Sequence, residues 1–211
     1  MNGNSFLGRM AAASRERVKV ARQRESEGIL KIRALAQPAP QQLSLGEFSL
    51  IAELKLRSPA AGSLAIDDFD RNAQLQAYAS GGAAAISVLT EPVEFKGSLT
   101  HLREAATAVS THGVPTMRKD FLTDPYQVLE AKAEGAGGIL VIITMLTDEE
   151  IDELLSCARE CGLFVLLEAF DVEDLERIAL LADRDSPISP LLCGVNCRNL
   201  KTLAVDFARF T

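Results

Sequence analysis

Acidic, basic and amide side chains in this chain collect where short apolar segments end. Residues 48–52 are mostly apolar and predict a buried strand, and Glu53, Lys55 and Ser58 follow just before Pro59. Successive strand residues point to opposite faces, so Glu53 and Lys55 share one face. Burying an acid and a base there is costly unless they are paired or used. A structural ion pair and a catalytic pair are both consistent with this stretch alone.

The same pattern recurs after further apolar segments. The polar residues there are Thr90 and Glu91, then Arg118, Lys119 and Asp120, then Glu168, and finally Asn196, Arg198 and Asn199. Strand alternation gives Lys119, Glu168, Asn196 and Arg198 the inward face. One such residue could be a helix cap or a rim ion pair. Five strands that each end in an inward ionisable or amide group argue against that interpretation and for an active site.

Strand and helix patterns alternate from residue 48 onward. Strands are predicted at 48–54, 83–89, 114–117, 138–143, 163–167 and 191–195. Helices are predicted at 67–80, 98–110, 125–134, 148–161 and from 172, and a last partial helix near 205. Asp124 before Pro125 is an N-cap signal, and Thr147 with Glu150 forms a capping box.

Apolar strands alternating with helices predict an α/β fold with a parallel sheet covered by helices. The spacing, and the lack of a Gly-rich dinucleotide motif, favour a (β/α)8 TIM barrel over a doubly wound sheet. Residues 1–46 are predicted to form an N-terminal helical extension and linker. Residues 47–211 are predicted to form the first six β/α units of the barrel. Strands seven and eight, whose loops commonly bind phosphate, are expected to be missing from this chain.

Length and charge limit the possible functions. The 211 residues are enough for one sizeable domain, and 47% apolar with 24% charged residues is an ordinary globular composition. A net charge of −7 argues against nucleic-acid binding, although local positive groups could still bind a small acidic metabolite. We find neither an apolar run long enough to span a membrane nor a secretory signal in the sequence, so we expect a cytoplasmic protein. A monomer or weak oligomer is expected.

The four cysteines form two pairs, Cys157 with Cys161 and Cys193 with Cys197. The first pair is predicted near a helix C-terminus and the second around a strand C-terminus. Those ends lie at opposite poles of a β/α layer, so the four sulfurs are not expected to converge on one metal ion. Buried free thiols are predicted instead.

The order of these motifs resembles that of the indole-3-glycerol phosphate synthase family over nearly the whole chain. The resemblance is carried by four segments. They are Leu50-Ile-Ala-Glu-Leu-Lys55 with Ser58-Pro59; Ala85-Ile-Ser-Val-Leu-Thr-Glu91 with Phe95-x-Gly-Ser98; Arg118-Lys-Asp-Phe121 with Asp124-Pro-Tyr-Gln127; and Gly194-Val-Asn-Cys-Arg-Asn-Leu200.

The resemblance implies ring closure, decarboxylation and dehydration of a phosphorylated small molecule, 1-(2-carboxyphenylamino)-1-deoxyribulose 5-phosphate, with no metal or organic cofactor. It implies that Lys119 is the general acid on the ketone and that Glu168 is the general base, supported by Glu53. It implies that Lys55 holds the ring carboxylate. The substrate-binding residues that it implies are Ser58, Glu91, Phe95, Phe121, Leu140, Asn196 and Arg198.

Several positions depart from the family pattern without removing a charged catalytic group. They are Ala60, Gly137, Ala169, Phe170 and Cys197. Two alternatives stay open. One is another ribulose-phosphate-binding barrel enzyme, such as phosphoribosylanthranilate isomerase. That reaction requires an Asp and Cys acid/base pair, whereas this chain has the lysines and glutamates. The other is a truncated or diverged barrel that serves as a non-catalytic binding or interaction module.

Overall fold

The computed structural model describes residues 5–58, 62–63, 69–184, 190–199 and 204–210. A parallel sheet of six strands follows the order of the chain. The strands are β1 (Ile51–Leu54), β2 (Ala85–Leu89), β3 (Thr116–Lys119), β4 (Gly138–Ile142), β5 (Phe164–Ala169) and β6 (Leu191–Val195). A doubly wound sheet would instead reverse its strand order. The predicted α/β architecture with a parallel sheet is therefore confirmed, in the form of a half-barrel.

Helices connect the consecutive strands and also precede the first one. They are α1 (Phe6–Arg24), α2 (Glu27–Leu35), α3 (Arg71–Ser80), α4 (Leu99–Ala108), α5 (Pro125–Ala133), α6 (Asp148–Cys161) and α7 (Val172–Arg184). Short 3-10 turns occur at Ser110–His112, Ile143–Met145 and Phe207–Phe210, and Arg57–Ser58 pairs with Gly62–Ser63 as a small antiparallel ribbon. Among the described helices, none is long and apolar enough to cross a membrane.

Capping residues explain why two of the helices begin where they do. The Thr147 hydroxyl accepts from the Glu150 N–H at 3.2 Å, and the Glu150 carboxylate accepts from the Thr147 N–H at 2.9 Å. The Asp124 carboxylate caps α5 by accepting from the Tyr126 N–H at 2.8 Å, and Pro125 takes the first position of the helix. Both predicted helix starts are therefore confirmed.

Several predicted strand bounds move by one to three residues, and two of these changes bear on the site. The first begins at Ile51 rather than at Phe48, since Phe48 is 89% exposed and Leu50 is 58% exposed. The third runs from Thr116 to Lys119, because pairing with β2 begins one residue after Pro115, which has no N–H to donate. Lys119 is thus the last residue of a strand, and the strand backbone fixes its direction.

Apolar side chains fill the inner face of the sheet near the N-terminal ends of the strands. Ala85, Met117 and Phe164 form a buried cluster there, with Ile51 packed against it. Gly138 makes room for this layer, since a Cβ at that position would lie 2.4 Å from the Phe164 ring. The charged residues at the C-terminal ends of the strands therefore lie above a packed layer of apolar side chains.

The N-terminal helices pack onto the sheet units and share their core. Leu7, Met10 and Val18 of α1 are buried in the same apolar cluster as residues of the sheet. α1 also reaches residues that follow β2, β3 and β4 in the chain, through Arg17 and Arg15. It consequently lies across the end of the sheet at which the strands terminate.

The four cysteines are free, but they are not uniformly buried as predicted. Cys161 is buried, Cys157 and Cys197 are half-buried, and Cys193 is exposed. Cys193 lies on β6, an edge strand of the described sheet, and this position accounts for its exposure.

Candidate active site

Three charged side chains meet above the inner face of β1 and β3. The Nζ of Lys119 lies 2.8 Å from Oε2 of Glu53, and the Nζ of Lys55 contacts Oε1 of the same carboxylate. Each of the three side chains keeps roughly 30% of its surface exposed, namely 32% for Lys119, 28% for Glu53 and 29% for Lys55. A lysine that is held by a carboxylate and is still accessible can reach a substrate. These three side chains are therefore suited to acid catalysis as well as to a structural ion pair.

The charge of Lys119 is stabilised by its acidic neighbours. Burial lowers the pKa of this ammonium, but the charges of Glu53 and Glu168 raise the pKa by more, and the net effect is a pKa above the ordinary value. The positive charge of Arg198 opposes them. Lys119 therefore stays protonated at neutral pH, as a proton donor must.

Glu53 is correspondingly held as a carboxylate. Burial raises its pKa, whereas Lys119 and Lys55 lower it by more, so the pKa of Glu53 lies below its usual value. The Tyr78 hydroxyl donates to the Glu53 carbonyl oxygen at 3.2 Å and fixes the backbone at this point.

A second pair stands at the ends of β5 and β6. The Asn196 side-chain amide donates to Oε1 of Glu168 at 2.8 Å, and the Asn196 oxygen accepts from the Arg198 N–H at 3.0 Å. Glu168 is only 9% exposed. The Asn196 amide orients the mostly buried Glu168 carboxylate toward the inner face, and the charge of this carboxylate raises the pKa of Lys119.

Aromatic side chains follow two of the strands that position this region. Phe95 follows β2 and Phe121 follows β3, and their ring centroids are 6.2 Å apart with an interplanar angle of 42°. Phe6 of α1 meets Phe121 edge-on at 5.9 Å. Leu140 is buried on β4, opposite Leu166 in the sheet register. Phe95 and Phe121 therefore belong to the segments directly after strands that also supply charged residues.

Two expected substrate-binding residues need separate comment. The Glu91 carboxylate is 1% exposed and accepts from the N–H groups of Val93, Glu94 and Phe95 at 3.0, 2.6 and 3.1 Å. Its oxygens are thus engaged with the loop that follows β2, and a role in substrate binding stays a prediction. The Ser58 side chain, like residues 59–61, lies outside the described part of the structure.

Three further residues contribute to this region without having been predicted as site residues. Ser87 aligns with Glu53 and Met117 in the sheet register, and its buried hydroxyl has no hydrogen-bond partner among the described residues. Its signal in the sequence is a lone polar residue within an apolar strand. Arg17 and Phe6 reach the site from α1, and no local pattern indicates this because their partners lie more than 70 residues away.

The arrangement combines a protonated lysine, a carboxylate oriented by an amide, and an aromatic surface. Such a set can polarise a carbonyl oxygen, move a proton and hold an aromatic substrate. Within the described ranges, no group of three His, Cys, Asp or Glu side chains could hold a metal ion.

Known proteins of one family are similar to this chain. The sequence model of the indole-3-glycerol phosphate synthase family matches residues 7–211. Proteins named indole-3-glycerol phosphate synthase are similar to the chain in a Nocardioides species, Azospirillum brasilense and Bordetella pertussis, with identities of 46%, 45% and 38%. The matches cover 80%, 77% and 94% of this chain. They cover 60%, 58% and 75% of the three relatives.

Proposed function

Because the chain belongs to the indole-3-glycerol phosphate synthase family, we propose that it carries the catalytic groups of that synthase. The proposed reaction converts 1-(2-carboxyphenylamino)-1-deoxyribulose 5-phosphate to indole-3-glycerol phosphate. A ring carbon attacks the ketone, carbon dioxide leaves, and water is then expelled. The observation that carries the proposal is the ion pair of a protonated, partly accessible Lys119 with Glu53 at 2.8 Å.

Lys119 donates a proton to the ketone oxygen as the new carbon–carbon bond forms. Its raised pKa keeps the donor charged, and Glu53 directs the ammonium without neutralising it. Lys55 binds the ring carboxylate of the substrate before carbon dioxide leaves. It is suited to this role because it is the second cation beside the Glu53 carboxylate. An acid so placed is typically worth about 10²- to 10⁴-fold in rate.

In the dehydration, Glu168 removes a proton from the carbon beside the ring nitrogen while Lys55 donates a proton to the hydroxyl that leaves as water, and Asn196 keeps the Glu168 carboxylate oriented. Asn196 and Arg198 bind the polar end of the substrate. Phe95, Phe121 and Leu140 line the anthranilate ring, which is a flat apolar group. We assign Glu91 to the ordering of the loop that carries Phe95.

We further propose that the six strands belong to a closed eight-stranded barrel. Consecutive parallel strands in chain order are the arrangement that such a barrel requires. In this interpretation residues 1–46 form a helical extension with its linker, and residues 47–211 form barrel units.

The test is an assay of the protein with the anthranilate-derived ribulose phosphate, read by indole fluorescence. We expect the rate of product formation to fall by about 10²- to 10⁴-fold in Lys119→Met and to be retained in Lys31→Met, a change of an exposed lysine that pairs with Glu160. Absence of product from the unmodified protein would favour the non-catalytic binding module. A Lys119→Met rate within a few-fold of the parent rate would show that Lys119 is not the acid.

A further inference from the structure

Arg17 of α1 binds two buried carboxylates that follow neighbouring strands. Its Nη2 lies 2.6 Å from Oδ1 of Asp120, and its Nη1 lies 3.4 Å from Oε1 of Glu91. Both acidic side chains are 1% exposed, whereas that of Arg17 is 28% exposed. Buried carboxylates need a partner, and this guanidinium serves both at once.

Glu91 transmits this contact to the loop after β2. Its carboxylate accepts from three consecutive N–H groups, those of Val93, Glu94 and Phe95. The loop backbone therefore follows the position of this carboxylate. Phe95 is the residue that the loop places against Phe121.

Asp120 transmits the contact to the end of β3. Its carboxylate accepts from the Thr90 hydroxyl at 2.8 Å and from the Phe121 N–H at 2.8 Å, and Arg118 contacts it at 3.2 Å. Burial raises the pKa of Asp120, but Arg118 and Arg17 lower it by more, so the carboxyl stays ionised. Asp120 directly follows Lys119, so displacement of its backbone moves the end of the strand that carries the proposed acid.

We propose that Arg17 is a positioning residue of the synthase site, acting through Glu91 on the ring-binding loop and through Asp120 on the end of β3. This inference rests on the proposed function. Arg17 acts through these two acids, and its helix makes a second contact through Phe6, which packs on Phe121. In this way α1 aligns the loop after β2 with the segment after β3, although the two belong to different strands.

The planar fork of arginine is needed because the two acceptors belong to different segments. A lysine at this position has a single ammonium, which can pair with Asp120 or with Glu91 but pairs less well with both at once. Methionine retains an apolar side chain of similar length and removes the charge. Arg17→Lys should therefore lose less function than Arg17→Met.

The experiment combines kinetics with hydrogen exchange on the purified protein and its variants. We expect Arg17→Met to lower kcat by about tenfold to hundredfold, the cost of a small misplacement of reacting groups. Amide exchange of segment 91–97 should become faster while that of α6 stays unchanged. Arg15→Met is the matched control, since Arg15 lies on the same helix and pairs with Glu150 at the surface.

The two measurements separate the possible failures. Unchanged kcat and unchanged exchange of segment 91–97 in Arg17→Met would overturn the positioning role. If that variant does not fold, Arg17→Lys decides: reduced kcat with faster exchange of the segment supports the role, and parent values for both overturn it. An inactive parent protein whose segment 91–97 still loosens in Arg17→Met would overturn the proposed function while leaving the positioning contact in place.

Discussion

Glu53 and Lys119 form an ion pair across two strands that are not neighbours. β1 and β3 are separated by β2, yet the carboxylate and the ammonium are 2.8 Å apart. Alternate strands of a sheet lie about 9–10 Å apart, so the two long side chains must reach over β2. The residue beneath them is Ser87, whose Cα aligns with that of Glu53. The pair therefore lies over the Ser87 hydroxyl, for which the described part of the chain offers no hydrogen-bond partner.

The first prediction concerns the pH dependence of turnover in Glu53→Gln. Glu53 helps to raise the pKa of Lys119, so replacing it with a neutral amide should lower that pKa. A general acid must be protonated, and the alkaline limb of the kcat profile should consequently move to lower pH. Glu16→Gln is the control, because Glu16 pairs only with the exposed Lys19 among the ion pairs described. An alkaline limb that stays in place would mean that Glu53 does not control the acid.

The second prediction concerns Glu168→Gln. The amide keeps the shape of the side chain and can retain a hydrogen bond to Asn196, but it cannot accept a proton as a base. We expect kcat to fall by about 10²- to 10⁴-fold while KM changes by only a few-fold. Steady-state kinetics check this. An equal loss in kcat and in affinity, or a loss of folding, would instead support a structural role for Glu168.

Helix caps and the approximate positions of the strands could be predicted from the sequence because their signals are local. Lys119 lies two residues after Met117 and Glu168 two residues after Leu166, so alternation alone gives both the inward face. Thr147 and Glu150 are three residues apart, so their mutual hydrogen bonds need no tertiary information.

Contacts between distant segments could not be predicted in the same way. Glu91 follows a strand just as Lys119 does, yet it turns into the protein, because three loop N–H groups and Arg17 offer it partners. Phe48 is apolar but exposed, since its segment precedes the first pairing with β2. Period and propensity contain no information on which segment covers another.

The third prediction concerns the buried Arg118. Its side chain is 4% exposed and contacts Asp120 at 3.2 Å and Glu130 at 2.9 Å. Arg118→Met leaves buried carboxylates without this partner and should reduce the free energy of unfolding by about 3–5 kcal/mol. Urea titration measures the change. Arg15→Met, which removes an exposed pair, should cost only about 0–1 kcal/mol, and equal losses in both variants would contradict the argument.

The fourth prediction concerns Gly97, at the end of the loop that carries Phe95. A Cβ at this position would lie 2.3 Å from the Leu89 carbonyl oxygen, and the Gly97 N–H donates to the Glu91 carbonyl oxygen at 2.8 Å. Backbone atoms cannot yield as a flexible side chain does, so Gly97→Ala must push the loop away from β2. We expect a loss of about 1–3 kcal/mol in the free energy of unfolding and a higher KM.

Gly28 provides the matched control for this substitution. It lies in α2, where a Cβ would meet nothing within 4 Å, and alanine is the better helix former by about 1 kcal/mol. Gly28→Ala should therefore leave KM unchanged and keep or raise the free energy of unfolding. Urea titration and steady-state kinetics on both variants decide the point. If Gly97→Ala matches the parent protein in KM and stability, the loop after β2 does not depend on the close approach of Gly97 to Leu89.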